Sequence, residues 1–343
     1  MPVSIKDIAQ AANVTPGTVS RALRDSPRVS SETKKRIQQI ADKMGYSPDA
    51  QARSLVEGRT RTIGVVVTTM TDPFIGGIVQ AIETTAQDHG YSVILASSND
   101  LSEREIAAAE TLQSKRVDGV IVTSSRVGVL HQGRLERLGV PVVLINSLVQ
   151  HQGRYTFSIG VDNRLGGFQA TEHLLQLGHR RIAYVAAPDD RSDSLERLTG
   201  YHEALARAGI DPDPALQVRG TGRAGGGERA LPLLQALPEP PTAVFCYNDM
   251  TAIGLIHAAH AAGLSLPQDL AIVGFVDIVF APYIHPALTT VAQPVVELGK
   301  GAMEMVLSLL SDGNSDLDMS SDQTLPGWLV VRASSGANGL PVN

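Results

Sequence analysis

The stretch NVTPGTVSRAL, residues 13–23, gathers hydroxyls, a proline, a glycine and an arginine into one short segment. Thr15 and Thr18 suit phosphate oxygens, alongside the free N–H groups of a helix start, and Ser20 adds a third hydroxyl. Pro16 and Gly17 carry so little side chain that the backbone can come close to a duplex. Arg21, one turn on, is long enough to reach O6 and N7 of a guanine. A glycine inside a helix costs about 1 kcal/mol relative to alanine, so an ordinary helix would more often carry alanine at position 17. Far down the chain a second pattern repeats, in which apolar runs end in polar or charged side chains. Asp72 follows TIGVVVTTM, and Asn146 ends VPVVLINS. Arg191, Asp193 and Arg197 follow RIAYVAAPDD, while Asn248 and Asp249 end TAVFCYND and Asp277 ends LAIVGFVD. Carboxylates and amides match vicinal hydroxyls in fixed geometry, so a ring of such groups suits a small carbohydrate or nucleoside.

Catalytic patterns are weaker. The glycine-rich GRAGGGERA (222–230) lacks the G-x-G-x-x-G spacing after a strand, and ELGKGAM (297–303) lacks a Walker A frame. His257 and His260 stand three apart, which is wrong for the i, i+4 pair of a zinc-protease helix, and no G-x-S-x-G elbow occurs. The single cysteine, Cys246, removes zinc clusters and intrachain disulfides and fits a reducing compartment. No catalytic residue, metal or cofactor is expected. There is no apolar run of about 18 residues to span a membrane, and MPVSIKDIAQ lacks a signal-peptide core, so a cytoplasmic protein is expected.

The elements that must position these residues fall into two groups. Net charge is −6, yet residues 1–61 hold eleven Lys/Arg against six Asp/Glu, leaving the remainder acidic. A basic head on an acidic body is the footprint of a part that meets phosphates. In the head, Ser4 with Asp7 reads as a capping box, Thr15 as an N-cap with Pro16 at the first helical position, and Ser30 as a third cap before a helix stopped by Gly45. Two helices joined by a tight turn, with a third completing the core, make a helix-turn-helix unit. YSPDAQARSLVEGRTR (46–61) reads as a linker or as a hinge that folds only on DNA. From Thr62 onward, apolar strands alternate with helices near 76–89, 103–115, 134–138, 164–177, 195–208, 226–235 and 250–262. Two βαβ series make two doubly wound lobes, with TTVAQP (289–294) and the helix after Val295 returning to the first.

SIKDIAQAANVTPGTVSRAL, VSSETKKRIQQIADKMGYSPDAQARSL and the strand-end motifs together resemble the lactose-repressor family of bacterial regulators, over essentially the whole chain. That resemblance implies a two-lobe α/β effector domain of the type I periplasmic-binding-protein kind behind an all-α helix-turn-helix domain. It implies boundaries of 1–46 for the headpiece and 47–61 for the hinge. The N-terminal lobe would take 62–160 and 293–323, and the C-terminal lobe 161–292 and 324–343. It further implies that Ala52, Arg53 and Leu55 enter the minor groove, with Leu55 as a wedge that kinks the duplex. Asp72 and Phe74 become a cleft segment with an aromatic face, Arg197 a fork for ligand oxygens, and Asn248 a partner for ligand hydroxyls. Asn146, Arg191, Asp193 and Asp277 complete the expected effector set.

The chain departs from the family at one informative place. Relatives read G-[FY]-D-[DN] after the last of these strands and use the first acid on the ligand, whereas this chain has Gly274-Phe275-Val276-Asp277. Either Asp277 substitutes after a small shift, or the ligand lacks that polar group. Asn146 also stands where several sugar-responsive relatives carry aspartate. The expected protein is a homodimer that binds a pseudo-palindromic operator as a repressor under a small sugar-like or nucleoside-like effector, and no leucine heptad argues for a tetramer. A periplasmic-type receptor without DNA regulation and a nucleotide-using α/β enzyme are the two alternatives.

Overall fold

Ser4 opens the first helix through its side chain. The Ser4 hydroxyl accepts the Asp7 N–H at 3.4 Å while the Asp7 carboxylate takes the Ser4 N–H at 2.8 Å, closing the capping box. The computed structural model describes residues 3–46, 58–123, 129–147, 156–188, 191–311 and 322–336. The chain forms two units, Met1–Thr60 and Arg61–Asn343. In the first, α1 (Ile5–Ala12), α2 (Pro16–Leu23) and α3 (Ser31–Met44) close around fully buried Ile8, Val19 and Ile37. Asn13 ends α1 in left-handed backbone, φ 51°, and Gly45 ends α3 likewise at φ 67°. Residues 47–57, and with them Ala52, Arg53 and Leu55 of the expected hinge, lie outside the described residues.

The second unit begins with β1 (Thr62–Val67), α4 (Pro73–Asp88), β2 (Ser92–Ser97), α5 (Ser102–Ser114), β3 (Gly119–Thr123), α6 (Val129–Glu136), β4 (Val142–Ile145) and β5 (Thr156–Val161). Next come α7 (Asn163–Gln176), β6 (Ile182–Ala186), α8 (Ser192–Arg207), β7 (Gln217–Arg219), α9 (Ala224–Gln235), β8 (Ala243–Cys246), α10 (Asp249–Ala261) and β9 (Ala271–Val276). The chain closes with β10 (Thr289–Ala292), α11 (Val295–Ser311), β11 (Asp322–Leu325) and β12 (Trp328–Val330). Two six-stranded sheets result, ordered β11-β5-β4-β3-β1-β2 and β12-β10-β9-β8-β6-β7. All neighbours pair parallel except β12 against β10. Successive residues of β1 face opposite cores, Val65 and Val67 into one and Val66 into the other. Covering on both faces is why the central strands read as unbroken apolar runs.

Several expectations change. TTVA does not return to the first lobe: β10 pairs with β9, Thr289 opposite Val273, and the return begins with α11, which packs on α4. The polar stretch SDGNSDLDMSSDQT (311–324) has the composition of a loop, yet it ends in a strand, since β11 pairs parallel with β5. Because β5 runs through Val161 and β11 through Leu325, both remain in the first sheet, one or two residues beyond the expected crossings at 160 and 323. The apolar run YSVILASS (91–98) suggests a strand buried on both faces, but β2 is a sheet edge, and Ile94 and Leu95 are exposed.

Candidate functional site

On the head, Thr15 caps α2 by accepting the Thr18 N–H at 3.2 Å, and the two hydroxyls bond each other at 2.9 Å. Thr15, Pro16, Gly17 and Arg21 are exposed and Thr18 is half-buried, while Val19 and Ala22 point into the core. A Cβ on Gly17 would meet nothing nearer than the Thr15 hydroxyl at 3.9 Å, so no internal packing demands glycine there. Ser20 is less available: its hydroxyl accepts from Arg24 Nη2 at 2.9 Å and its carbonyl from Arg24 Nε at 3.1 Å. The helix start therefore presents small exposed side chains with Arg21 beside them, chemistry suited to a polyanion.

In the body, polar strand ends converge where the winding reverses, beside β1 and β6, the position at which doubly wound sheets open a crevice. A cavity of about 360 Å³ lies there. Asp72, Phe74 and Asn146 reach it from the first lobe, and Arg191, Asp193, Arg197 and Asn248 from the second. Asp72 is the N-cap of α4, accepting the Phe74 N–H at 3.0 Å. Burial pushes its carboxyl up, opposed by that N–H and by Arg191 and Arg223 of the other lobe. Arg191 grips both Asp193 oxygens at 3.0 Å and reaches across to Asp100 of the first lobe at 3.2 Å. Burial alone would push Asp193 up, but the Arg191 and Arg197 guanidiniums outweigh it and hold the carboxyl well below the usual carboxylate range.

Arg197 is almost wholly enclosed. It donates to Asn163 Oδ1 at 3.0 Å and to the Tyr247 carbonyl at 2.6 Å, and it lies over the Phe275 ring at 3.7 Å and the Tyr247 ring at 4.6 Å. Asn248 caps α10, its Oδ1 accepting from Thr251 N–H and hydroxyl at 2.9 and 2.8 Å, while its Nδ2 donates to the Gly222 carbonyl at 2.9 Å. Much of the second lobe's polar chemistry is thus spent on holding the wall in shape. Four acids (Asp72, Asp100, Asp193, Asp249) face three arginines (Arg191, Arg197, Arg223) around the cavity, a near balance that suits a neutral ligand. At the crossing between lobes, Asn146 donates to Gln293 Oε1 at 3.0 Å, leaving Asn146 Oδ1 and Gln293 Nε2 buried without partners among the described residues.

Asp277 is not in this wall. Arg332 takes its two oxygens at 2.7 and 3.1 Å, and Val276 lines the cavity in its place. The notion that Asp277 substitutes for the missing acid is therefore corrected, because its side chain is committed to the C-terminal segment. Sequence reasoning also passed over Tyr247, Asp100, Gln293 and the cavity role of Asp249. Tyr247 follows β8 directly and Asp100 lies three residues after β2, so the same positional signal that selected Asn248 was there for them. Gln293 offered only its place directly after β10.

Asp249 is fully buried and lies under the cavity, accepting the Thr290 hydroxyl at 2.6 Å and the Ile278 N–H at 2.8 Å. Burial pushes its carboxyl up to about 7, with Asp277 adding to the rise and the two hydrogen bonds opposing it. The folded value exceeds the ordinary one, so this group's contribution is complete below about pH 4 and is lost as pH rises toward 7. Thermal midpoints across pH 4–8 are expected to show Asp249→Asn gaining on the wild type as pH rises, with the difference levelling off above 7. A difference that does not change with pH would contradict this assignment.

Comparison with known proteins follows the same division. Residues 4–49 match the family described as bacterial regulatory proteins, lacI family, and residues 171–335 match a periplasmic binding protein-like domain. The chain is 34% identical over 334 residues to the HTH-type transcriptional repressor CytR of Escherichia coli K12, covering 97% of this chain and 96% of that one. It is 34% identical over 306 residues to the regulator GalR of the same strain, covering 89% of each. Among solved structures, the lac repressor dimer bound to operator and the anti-inducer ONPF superposes with a TM-score of 0.87 at 27% identity, covering 98% of this chain and 99% of that one. A CelR–cellobiose complex gives a TM-score of 0.72 at 29% identity, covering 97% and 99%.

Proposed function

The chain belongs to the lacI family of bacterial regulatory proteins, and on that premise we propose that it is a homodimeric transcription repressor whose grip on a pseudo-palindromic operator is set by a small neutral effector in the inter-lobe cavity. The observation that carries this reading is the pairing, in one chain, of a capped helix start bare of bulky side chains with an inter-lobe cavity edged by polar and charged side chains. Thr15, Pro16, Gly17, Thr18 and Arg21 supply the duplex contacts, Ser20 supports Arg24 on the same helix, and Ala52, Arg53 and Leu55 are assigned to the minor groove. The relatives above are transcription regulators, and the chain is proposed to catalyse nothing.

Dimerisation draws support from the surface. Val279, Phe280 and Tyr283, in the loop after β9, are 64, 53 and 82% exposed, a cluster of large apolar side chains that a second copy would cover. The lac repressor that superposes on this chain is a dimer bound to operator. In the cleft, the unpartnered Asn146 and Gln293 atoms each cost about 1–3 kcal/mol while buried, so ligand hydroxyls or lobe movement would relieve them. An effector that favours one lobe arrangement by about 1–3 kcal/mol is enough to act as a switch.

Arg21→Ala is expected to weaken binding to a selected operator by about 1–3 kcal/mol while leaving binding to random duplex little changed, because a base-reading arginine contributes to sequence preference. Fluorescence anisotropy on both duplexes checks this. Equal weakening on both would reassign Arg21 to the phosphates.

A further inference from the structure

The second-lobe wall of the cavity is built on a turn held in unfavourable backbone. Val276 has φ 119° and Asp277 follows at φ 63°. A β-branched residue at such a φ persists only where its surroundings fix it. Three groups do so here. Asp249, anchored by Thr290, accepts the Ile278 N–H at 2.8 Å. Arg332 clamps Asp277 at 2.7 and 3.1 Å, and Gln293 N–H donates to the Val276 carbonyl at 3.1 Å. The outcome is that Val276 and Ile278, both buried, line the cavity while the turn's own carboxylate faces Arg332. Neither side chain offers a hydrogen bond, and the Ile278 N–H and Val276 carbonyl already have protein partners. A ligand hydroxyl pressed against this wall would leave water and gain no partner in return.

We infer that Val276 and Ile278 make the cleft selective for a ring ligand whose edge on this side is bare carbon, with its hydroxyls confined to the remaining edges. The inference rests on the proposed reading of the cavity as the effector site. It assigns Val276 and Ile278 as specificity-determining residues, and Asp249 and Arg332 as positioning residues that act through the turn.

The test is calorimetry of the full-length protein with matched pairs: D-galactose and D-fucose, D-glucose and 6-deoxy-D-glucose, and the four common ribonucleosides with their 2′- and 5′-deoxy forms. At least one pair is expected to favour the deoxy member by about tenfold or more, the discrimination typical of a single group in an apolar pocket. Val276→Asp, a residue better tolerated at positive φ, is expected to bring the hydroxylated member of that pair ahead. Val276→Gly, which adopts this backbone freely, is expected to abolish the preference while retaining the fold, so a misfolded aspartate variant does not decide the matter. Equal or tighter binding of the hydroxylated member in every pair overturns the inference. So does a deoxy preference unmoved by either substitution, or a panel without binding. Binding that also survives Asp72→Asn and Phe74→Ala places the ligand elsewhere and overturns the effector-site reading itself. Binding lost in those variants but blind to position 276 overturns only the specificity claim.

Discussion

Gly254→Ala is expected to lose about 3 kcal/mol of stability in the body and to lower its thermal midpoint by roughly 5–10 °C. The reason is a helix crossing made backbone to backbone. A methyl on Gly254 in α10 would overlap the Ala224 carbonyl of α9, and one on Gly227 in α9 would overlap the Thr251 carbonyl of α10. Main-chain atoms cannot rotate aside as a side chain can, so the two helices must separate. These helices carry Asn248 and Asp249 at the start of α10 and residues 223–225 at the start of α9, all on the cavity wall. The loss of packing therefore also moves cavity-lining groups. Gly225→Ala is the internal control, because its added methyl meets only the flexible end of Arg229 at 3.5 Å, and alanine is the better helix former. Differential scanning calorimetry of the two variants should separate them clearly. A Gly254→Ala midpoint equal to that of Gly225→Ala would contradict the close-crossing argument.

Arg197→Ala is expected to abolish the effector response while leaving the affinity of the effector-free protein for operator unchanged. The side chain lines the cavity, yet its bonds to Asn163 and Tyr247 and its place over Phe275 make it part of the wall as well. Removing a buried charged partner of Asp193 is expected to cost about 3 kcal/mol, eased because Arg191 and Tyr247 still hold that carboxylate. Arg197→Lys retains the charge but loses the planar fork and its stacking, so it should keep part of the stability and still lose most of the response. Operator binding measured with and without the true effector, beside thermal unfolding of each variant, checks both halves. A full response in Arg197→Ala would remove this residue from the switch.

The head was legible because its signals are local. Ser4 with Asp7, Thr15 with Pro16, and Gly45 each act within one turn, so residue type and spacing are enough to place three helices. The cavity residues were legible for a different reason: strands buried on both faces are unbroken apolar runs, and the residue that follows each run falls at a carboxyl end. Where one face or an edge is open, that signal fails. β11 reads DQTL and β7 is only three residues long, and both sit at sheet edges where apolar side chains are not required. The direction of Asp277 is not legible in the local sequence, because it depends on the backbone of Val276 and on Arg332, which lies 55 residues further along the chain. The engagement of Arg197 and Asn248 with protein partners likewise depends on groups 34 and 26 residues away, Asn163 and Gly222.

Two copies of the head are proposed to read a duplex together. Selection of bound duplexes from a randomised pool by the full-length protein should then enrich two half-sites in inverted orientation about a fixed centre. Enrichment of a lone half-site, or no sequence enrichment at all, would rule out paired reading.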